Sequence, residues 1–402
     1  MRPRKETLVT RSKLHGVVLA VLAIVAAQNA VAGSGDEAQW PNVALDEPQW
    51  PNVRPEDLPD PTPNPHPPFL DFDQVTNRIL AAGAALPAVD DKPEVTGSFP
   101  RWMDLPSQPS PFAFEVGARY WYSWGKINFG FTNGDPLYGN PTSTLNWHGL
   151  AAHSGEAFAR IDHKPTGMFV KGLFGLGSVV GGHIEDRDFL VQQISFSDTT
   201  SDVKDGRLTY GMIDLGWGYS PVPDIRVGFF GGYHYWNERV TAYGVRCNAV
   251  MYSTNFCGPA GSIAVPFDTA VLRYEPTWHA VRLGFEGRAV IRDRWSVSGE
   301  IAAVPFAVVQ NRDSHLLRQS FADLGPAPNV ITDSNYAFGI EAEMFINYAV
   351  TPNIEIGGGA RYWGLASYNG GVTHGPAFAI SDKLNNFEMQ RVGVLAQIKG
   401  KF

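Results

Sequence analysis

The chain has 402 residues, 42 of them glycine, with aromatics at 12%, DEKR residues at 18% and a net charge of −8. The acidic balance excludes a nucleic-acid surface, which needs a basic stripe. Two cysteines without a CxxC exclude a cysteine-based metal framework, and no metal or other cofactor is expected.

Residues 1–32 read as an export leader. Arg2, Arg4, Lys5, Arg11 and Lys13 form a basic start, Gly16 to Ala27 an apolar stretch, and Ala30-Val31-Ala32 a small-residue cleavage site. The apolar run is shorter than the 20 or so residues of a spanning helix. No later segment is long and apolar enough either, so a membrane would be crossed by strands. Residues 33–110 read as a proline-rich, mostly disordered periplasmic arm. Gln39-Trp40-Pro41-Asn42-Val43 recurs as Gln49-Trp50-Pro51-Asn52-Val53, and eight prolines stand from Pro51 to Pro68. Such a tract favours extended polyproline II. Within it, Phe72, Val75, Ile79 and Leu80 mark one short helix between Phe69 and Ala85.

From residue 111 to the end the period is two. Phe112, Phe114, Val116, Ala118, Tyr120, Tyr122 and Trp124 alternate with Ala113, Glu115, Gly117, Arg119, Trp121 and Ser123. Alternate residues of a strand face opposite sides. The same phase recurs in Val281, Leu283 and Phe285 against Arg282, Glu286 and Arg288. It recurs again in Phe338 to Ile346 against Glu341 and Glu343, and from Val392 to the terminal Phe402. Mixed charges on the polar face can neutralise one another in a narrow lumen, and the greasy face suits lipid. Tight connections fall at 164–167, 220–224, 292–294 and 351–353. Longer ones run roughly over 126–144, 183–207, 240–276, 308–334 and 366–388. The expectation is an all-β, ten-stranded antiparallel transmembrane β-barrel with five long outer loops, both ends on the periplasmic side of a bacterial outer membrane.

Two acidic motifs sit where such strands meet outer loops: His183-Ile184-Glu185-Asp186-Arg187-Asp188 and Asn311-Arg312-Asp313-Ser314-His315. An i, i+2 spacing on extended backbone points Asp186 and Asp188 one way, and Asp313 and His315 likewise. Asp313 could orient His315 as a general base for water. Two adjacent carboxyls push one pKa up, so Asp186 and Asp188 could share a proton. Calcium binding or plain solvation would account for either motif alone.

Residues 111–402 resemble the omptins, outer-membrane aspartate–histidine proteases. The resemblance is carried by Leu145-Asn146-Trp147, by Gly181-Gly182 and Glu185 to Phe189, and by Arg226 to Tyr233. Asp333-Ser334-Asn335-Tyr336 and Tyr348 to Asn353 add to it. It implies a ten-stranded barrel that cleaves peptides between an Asp-Asp couple, matched by Asp186 and Asp188, and an Asp-His couple, matched by Asp313 and His315. It further implies a need for lipopolysaccharide, held on the outer wall. Two departures concern the pocket for a basic side chain. Asn311 stands where an acid is expected, and Lys126-Ile127-Asn128 offers no carboxylate. Glu185 is a partial substitute. Cleavage at dibasic sites is therefore not carried over. The lost acids and the added arm keep open a barrel without catalysis, an adhesin or a small pore.

Cys247 and Cys257 lie in one outer loop and are expected to form a disulfide in an oxidising compartment. Gly175, Gly177, Gly181 and Gly182 read as strand glycines, since no crossover helix follows them. Ser201 has no His or Asp at a spacing that makes it a nucleophile, and His183, His234 and His279 read as structural.

Overall fold

The period-two segments become strands whose hydrogen-bond ladder closes on itself. A computed structural model describes residues 110–249 and 257–402; the leader, the proline-rich arm and its expected helix lie outside the described residues. The strands are β1 (Phe112–Thr132), β2 (Tyr138–His163), β3 (Met168–Leu190), β4 (Ser195–Val222), β5 (Ile225–Ala249) and β6 (Ile263–Arg292). They continue as β7 (Trp295–His315), β8 (Val330–Ala349), β9 (Ile354–Ser367), β10 (Gly371–His374) and β11 (Ile380–Lys401). Sequential neighbours from β1 to β9 pair antiparallel, and β1 pairs with β11 from Glu115↔Lys401 to Thr132↔Lys383. β10 has no position of its own. It stands between β8 and β11, as β9 does nearer the turns, so eleven strands fill the expected ten positions. Closure leaves no open edge, which lipid could not satisfy.

Four tight turns fall where the sequence places them, at 164–167, 223–224, 293–294 and 350–353. The long connections differ from expectation. The strands run on far past the bilayer, leaving among the described residues only 133–137, 191–194, 257–262, 316–329, 368–370 and 375–379 between strands. Strands of 20 to 30 residues such as β6 and β8 exceed the 9–11 or so that cross a membrane. Above the lipid the outer face turns polar, with Asn128, Glu185 and Glu388, while Phe129, Leu145, Ile184 and Phe387 are buried inside, so the apolar phase reverses although the ladder persists.

The outer face carries the apolar belt. Val116, Val170, Phe174, Ile213, Leu215, Leu283, Phe285, Ile356, Val394 and Ile398 are all exposed there. Aromatic pairs edge it. Trp217 stacks on Tyr219 at 6.1 Å and Trp295 meets Tyr348 at 4.9 Å near the tight turns, while Tyr122 meets Trp124 at 4.7 Å farther up. Grease outward with aromatic girdles is the pattern of a strand-built membrane span.

The lumen is packed rather than open. Arg160 of β2 reaches Glu286 of β6 at 2.7 Å, Arg282 of β6 reaches Glu341 of β8 at 3.0 Å, and Arg119 of β1 reaches Glu343 of β8 at 3.0 Å. Arg361 of β9 pairs with Glu156 of β2, and Arg391 of β11 with Glu238 of β5 on the opposite wall. A cavity of about 170 Å³ remains among the charges of the turn-side half, lined by Arg119, Lys171, Glu286 and Lys399. Above them Trp121, Tyr210, Trp236 and Trp363 pack ring against ring, with centroids 4.8 to 5.7 Å apart.

Candidate active site

Two bulges decide which side chains reach the mouth. In β3 the register against β2 slips between His148 and Ala152, opposite Gly181 and Gly182. Gly182 holds φ +140°, and a Cβ there would meet Leu150 and the His148 carbonyl at under 3 Å. Below the slip Phe169 and Val179 face in; above it Ile184 does, and Asp186 and Asp188 follow by alternation. In β7 the slip falls between Val304 and Ala307. Ala302 and Val304 face in below it, then Ala307, Val309, Asn311 and Asp313 above, with His315 next in phase. β3 and β7 stand four positions apart in the ring. The two couples thus come to one end of the barrel, above its apolar belt, on different walls.

Asp313 is 1% exposed, whereas Asp186, Asp188 and His315 are half-buried. Nδ1 of His315 lies 3.7 Å from Oδ1 of Asp313, beyond a hydrogen bond, and both atoms lack a partner. Asn329 fixes the strand end: its Oδ1 accepts the His315 N–H at 2.8 Å, and its Nδ2 donates to the Gly325 carbonyl at 3.0 Å.

Burial drives the electrostatics. It pushes the Asp186 carboxyl well above the ordinary carboxylate range, and the Asp188 charge adds to this. Asp188 is raised by burial too, against a hydrogen bond with Ser143 and the Arg318 charge. Burial raises Asp313 well above its ordinary value, and the charge of Asp186 on the facing wall raises it further. His315 is lowered to about 4 by burial, then by Arg318 and His374. Its ring is therefore neutral, with a nitrogen free to accept a proton, over most of the pH range.

The floor is aromatic. Trp147 meets Tyr274 at 5.4 Å, Tyr274 stacks near Phe387 at 6.0 Å, and Phe129 packs against both at 6.2 and 5.9 Å. Asn311 is wholly buried beside this layer. Its Oδ1 accepts the Glu275 N–H at 3.2 Å and its Nδ2 is unpartnered. Glu185, the expected stand-in for a pocket acid, goes the other way. Alternation turns it to the outer face, where it pairs with Arg187 at 3.1 Å. Asn128 also leaves the floor and donates to Glu388 at 3.1 Å.

Other sequence candidates fall outside the mouth or within its framework. Cys247 and Cys257 are joined by a disulfide with Cα atoms 5.9 Å apart. Cys247 lies opposite Thr199, itself opposite Asp186, so the bridge backs the wall that carries the Asp couple. Ser201 is buried and lies opposite Ile184. His234 bonds Glu341 at 2.6 Å inside the lumen, His279 meets the Tyr233 hydroxyl at 2.6 Å outside, and exposed His183 lies 5.5 Å from His148. Gly175, Gly177, Gly181 and Gly182 are strand residues of β3. Among the described residues no cluster of three or more His, Cys, Asp or Glu is arranged to hold a metal.

The sequence reading missed several neighbours of the mouth. Arg318 pairs with Asp323 at 2.7 Å in the β7–β8 connection and biases both carboxyls of the Asp couple. Tyr274 lies opposite Asp313 with its hydroxyl unpartnered. His374 bonds Asp382 at 2.8 Å. A signal was available for Tyr274, two residues beyond buried Leu272 in the same phase, but it fell in a stretch read as loop.

No protein-family model matches the chain, and no curated protein matches it in sequence. Among solved structures it is similar to the outer membrane protease OmpT from Escherichia coli, with a TM-score of 0.57 and 14% identity over 74% of this chain and 99% of that one. The Ralstonia pickettii toluene transporter TbuX aligns at a TM-score of 0.28 and 12% identity, over 73% of this chain and 90% of the other. A Pseudomonas aeruginosa FadL homologue aligns at 0.23 and 9%, over 72% and 90%. The likeness to the first of these places the chain among closed, membrane-spanning β-barrels and speaks to the fold alone.

Proposed function

We propose that this protein is an outer-membrane endopeptidase that hydrolyses peptide bonds with an activated water at the outer mouth of the barrel. The observation that carries the reading is a concentration of unmet polar demand. Four groups matching the omptin couples face one mouth, and the only ring base among them lies against a buried carboxyl with neither atom hydrogen-bonded. A water and a scissile carbonyl between the walls would satisfy them. Neutral His315 takes a proton from the water, and Asp313 stabilises the imidazolium that forms. The proton shared by Asp186 and Asp188 meets the carbonyl oxygen as the water oxygen attacks the carbon. Collapse of the tetrahedral intermediate sends the His315 proton to the leaving amine. Distances longer than a hydrogen bond are common before substrate binds. The aromatic floor and neutral Asn311 favour an uncharged anchoring side chain over a basic one.

Lipopolysaccharide is proposed as a requirement, on the resemblance to omptins. The test is a peptide library offered to refolded protein with and without lipopolysaccharide. Cleavage lost in both His315→Ala and Asp186→Asn, with the barrel still folded, supports the reading. Cleavage retained in both removes it. A pore is disfavoured by the ion pairs that cross the lumen, Arg391–Glu238 above all; a folded barrel that cleaves nothing in the library would leave adhesion as the better reading.

A further inference from the structure

The mouth contains a second imidazole–carboxylate couple. β10 is four residues long and continues the ninth position above a break at Tyr368 to Gly370. Val372 is wholly buried within the core cluster, so His374, two residues on, faces in with it. Nε2 of His374 lies 2.8 Å from Oδ2 of Asp382 on β11, and Asp382 is buried. The His374 ring packs 6.0 Å from that of Phe131, at the top of β1. Register fixes its height: His374 lies opposite Val330, and Val330 lies opposite Asp313. His374 is therefore in the row of Asp313, two strands along the wall.

We propose that His374, held by Asp382, positions the substrate in this mouth by hydrogen bonding to the peptide main chain; the inference rests on the protease reading above. Asp382 fixes the ring through Nε2. Nδ1 has no hydrogen-bond partner among the described residues, and the side chain keeps 20% of its exposure. An imidazole fixed at one nitrogen and open at the other accepts a peptide N–H, or donates to a peptide carbonyl when protonated. Extended peptides are gripped through such main-chain bonds. Two strand spacings are about 10 Å, and an extended chain advances about 3.3 Å per residue. The contact therefore falls roughly three residues from the scissile bond. A peg joining β10 to β11 would not depend on what the substrate is or how long it is.

The experiment compares His374→Gln with the unmodified full-length protein, on a cleaved peptide and on versions shortened from each end. His374→Gln is expected to raise KM about tenfold on the long peptide, the worth of one hydrogen bond, with kcat within about twofold. The penalty should vanish once the peptide is cut to fewer than about three residues on one side of the scissile bond. Asp382→Asn, which frees the ring without removing it, should raise KM less, and it stands in if His374→Gln does not fold. Wild-type KM in His374→Gln, or a loss equal on long and short peptides, overturns the proposal. Binding of the long peptide, labelled, to His315→Ala with and without His374→Gln separates the two claims. About tenfold weaker binding in the double variant keeps the His374 contact even if no peptide is cleaved and the protease reading falls. Equal binding removes the contact even if cleavage by the wild type is strong.

Discussion

The turn-side half of the lumen and its mouth are built from the same residue types and treat them oppositely. Around Glu286 and Glu300, carboxylates meet Arg160, Lys171 and Arg282 at 2.7 to 3.0 Å. At the mouth, Asp313 and His315 are left with unpartnered atoms, and Asp186 and Asp188 repel one another. The first arrangement ties the strands of the ring together across a packed interior. The second holds polar groups in states that only a ligand or a reaction would relieve. Charge that is paired contributes structure; charge that is buried and unpaired marks a site.

The largest expected effect breaks the comparison at the mouth. His315→Ala should lower kcat/KM by up to ~10⁴-fold, the full worth of a general base, with the unfolding midpoint nearly unchanged because the ring makes no side-chain hydrogen bond to Asp313. Kinetics on refolded protein beside a thermal melt in detergent checks both halves. Next comes the lumen. Arg391→Ala strands Glu238, which is buried beneath it with Arg391 as its ion-pair partner. Removing one partner of a buried pair costs about 3–5 kcal/mol, so the melt should fall steeply. A melt as high as wild type would mean that the ion pairs fill space without holding the ring.

The barrel was legible because its physics is periodic. Phe112 to Trp124 and Val392 to Phe402 alternate without a fault, and the four tight turns carry proline, glycine, aspartate or asparagine. What was hidden lies where the period slips. Bulges at Gly181–Gly182 and near Pro305 swap inner and outer faces, so β3 and β7 above the lipid read as loop although they remain paired. The motif pairs Asp186/Asp188 and Asp313/His315 survived this because each lies wholly above its bulge. Glu185 was misplaced because its direction depends on phase, and His374 was overlooked because the break at Tyr368 to Gly370 isolates its four-residue strand. Cross-lumen pairs such as Arg361–Glu156 join residues 205 apart, a contact no local pattern announces.

The disulfide gives a smaller effect. Replacing Cys247 and Cys257 by serine together releases a loop closed over a separation of 10 residues. A loop this short is worth roughly 2–3 kcal/mol at most. Because Cys247, Thr199 and Asp186 share a row, the loss should show in KM and kcat before it shows in the lumen's melt. Kinetics in the presence and absence of reductant reads it; identical rates would disconnect the bridge from the site.

The smallest expected effect is the most telling, because its sign is reversed. Asp186 and Asp313 have carboxyls raised above the unfolded value near 3.8. The folded state therefore binds more protons, and stability falls as pH rises from that value through the raised one. His315, lowered from 6.5 to about 4, acts oppositely: the unfolded state binds more protons between those values, so stability rises with pH across that window. At pH 7 the imidazole is neutral in both states, and the carboxyl penalty stands alone. Asp186→Asn should therefore abolish cleavage and yet raise the melt at pH 7, with little gain below pH 3.8, where the carboxyl is protonated folded or unfolded. The same change in the lumen, Glu300→Gln, removes a carboxylate paired with Lys171 and Arg282 and should lower the melt. If Asp186→Asn is destabilising at pH 7 as Glu300→Gln is, the mouth is held together by its charges like the rest of the lumen, and its acids are structural.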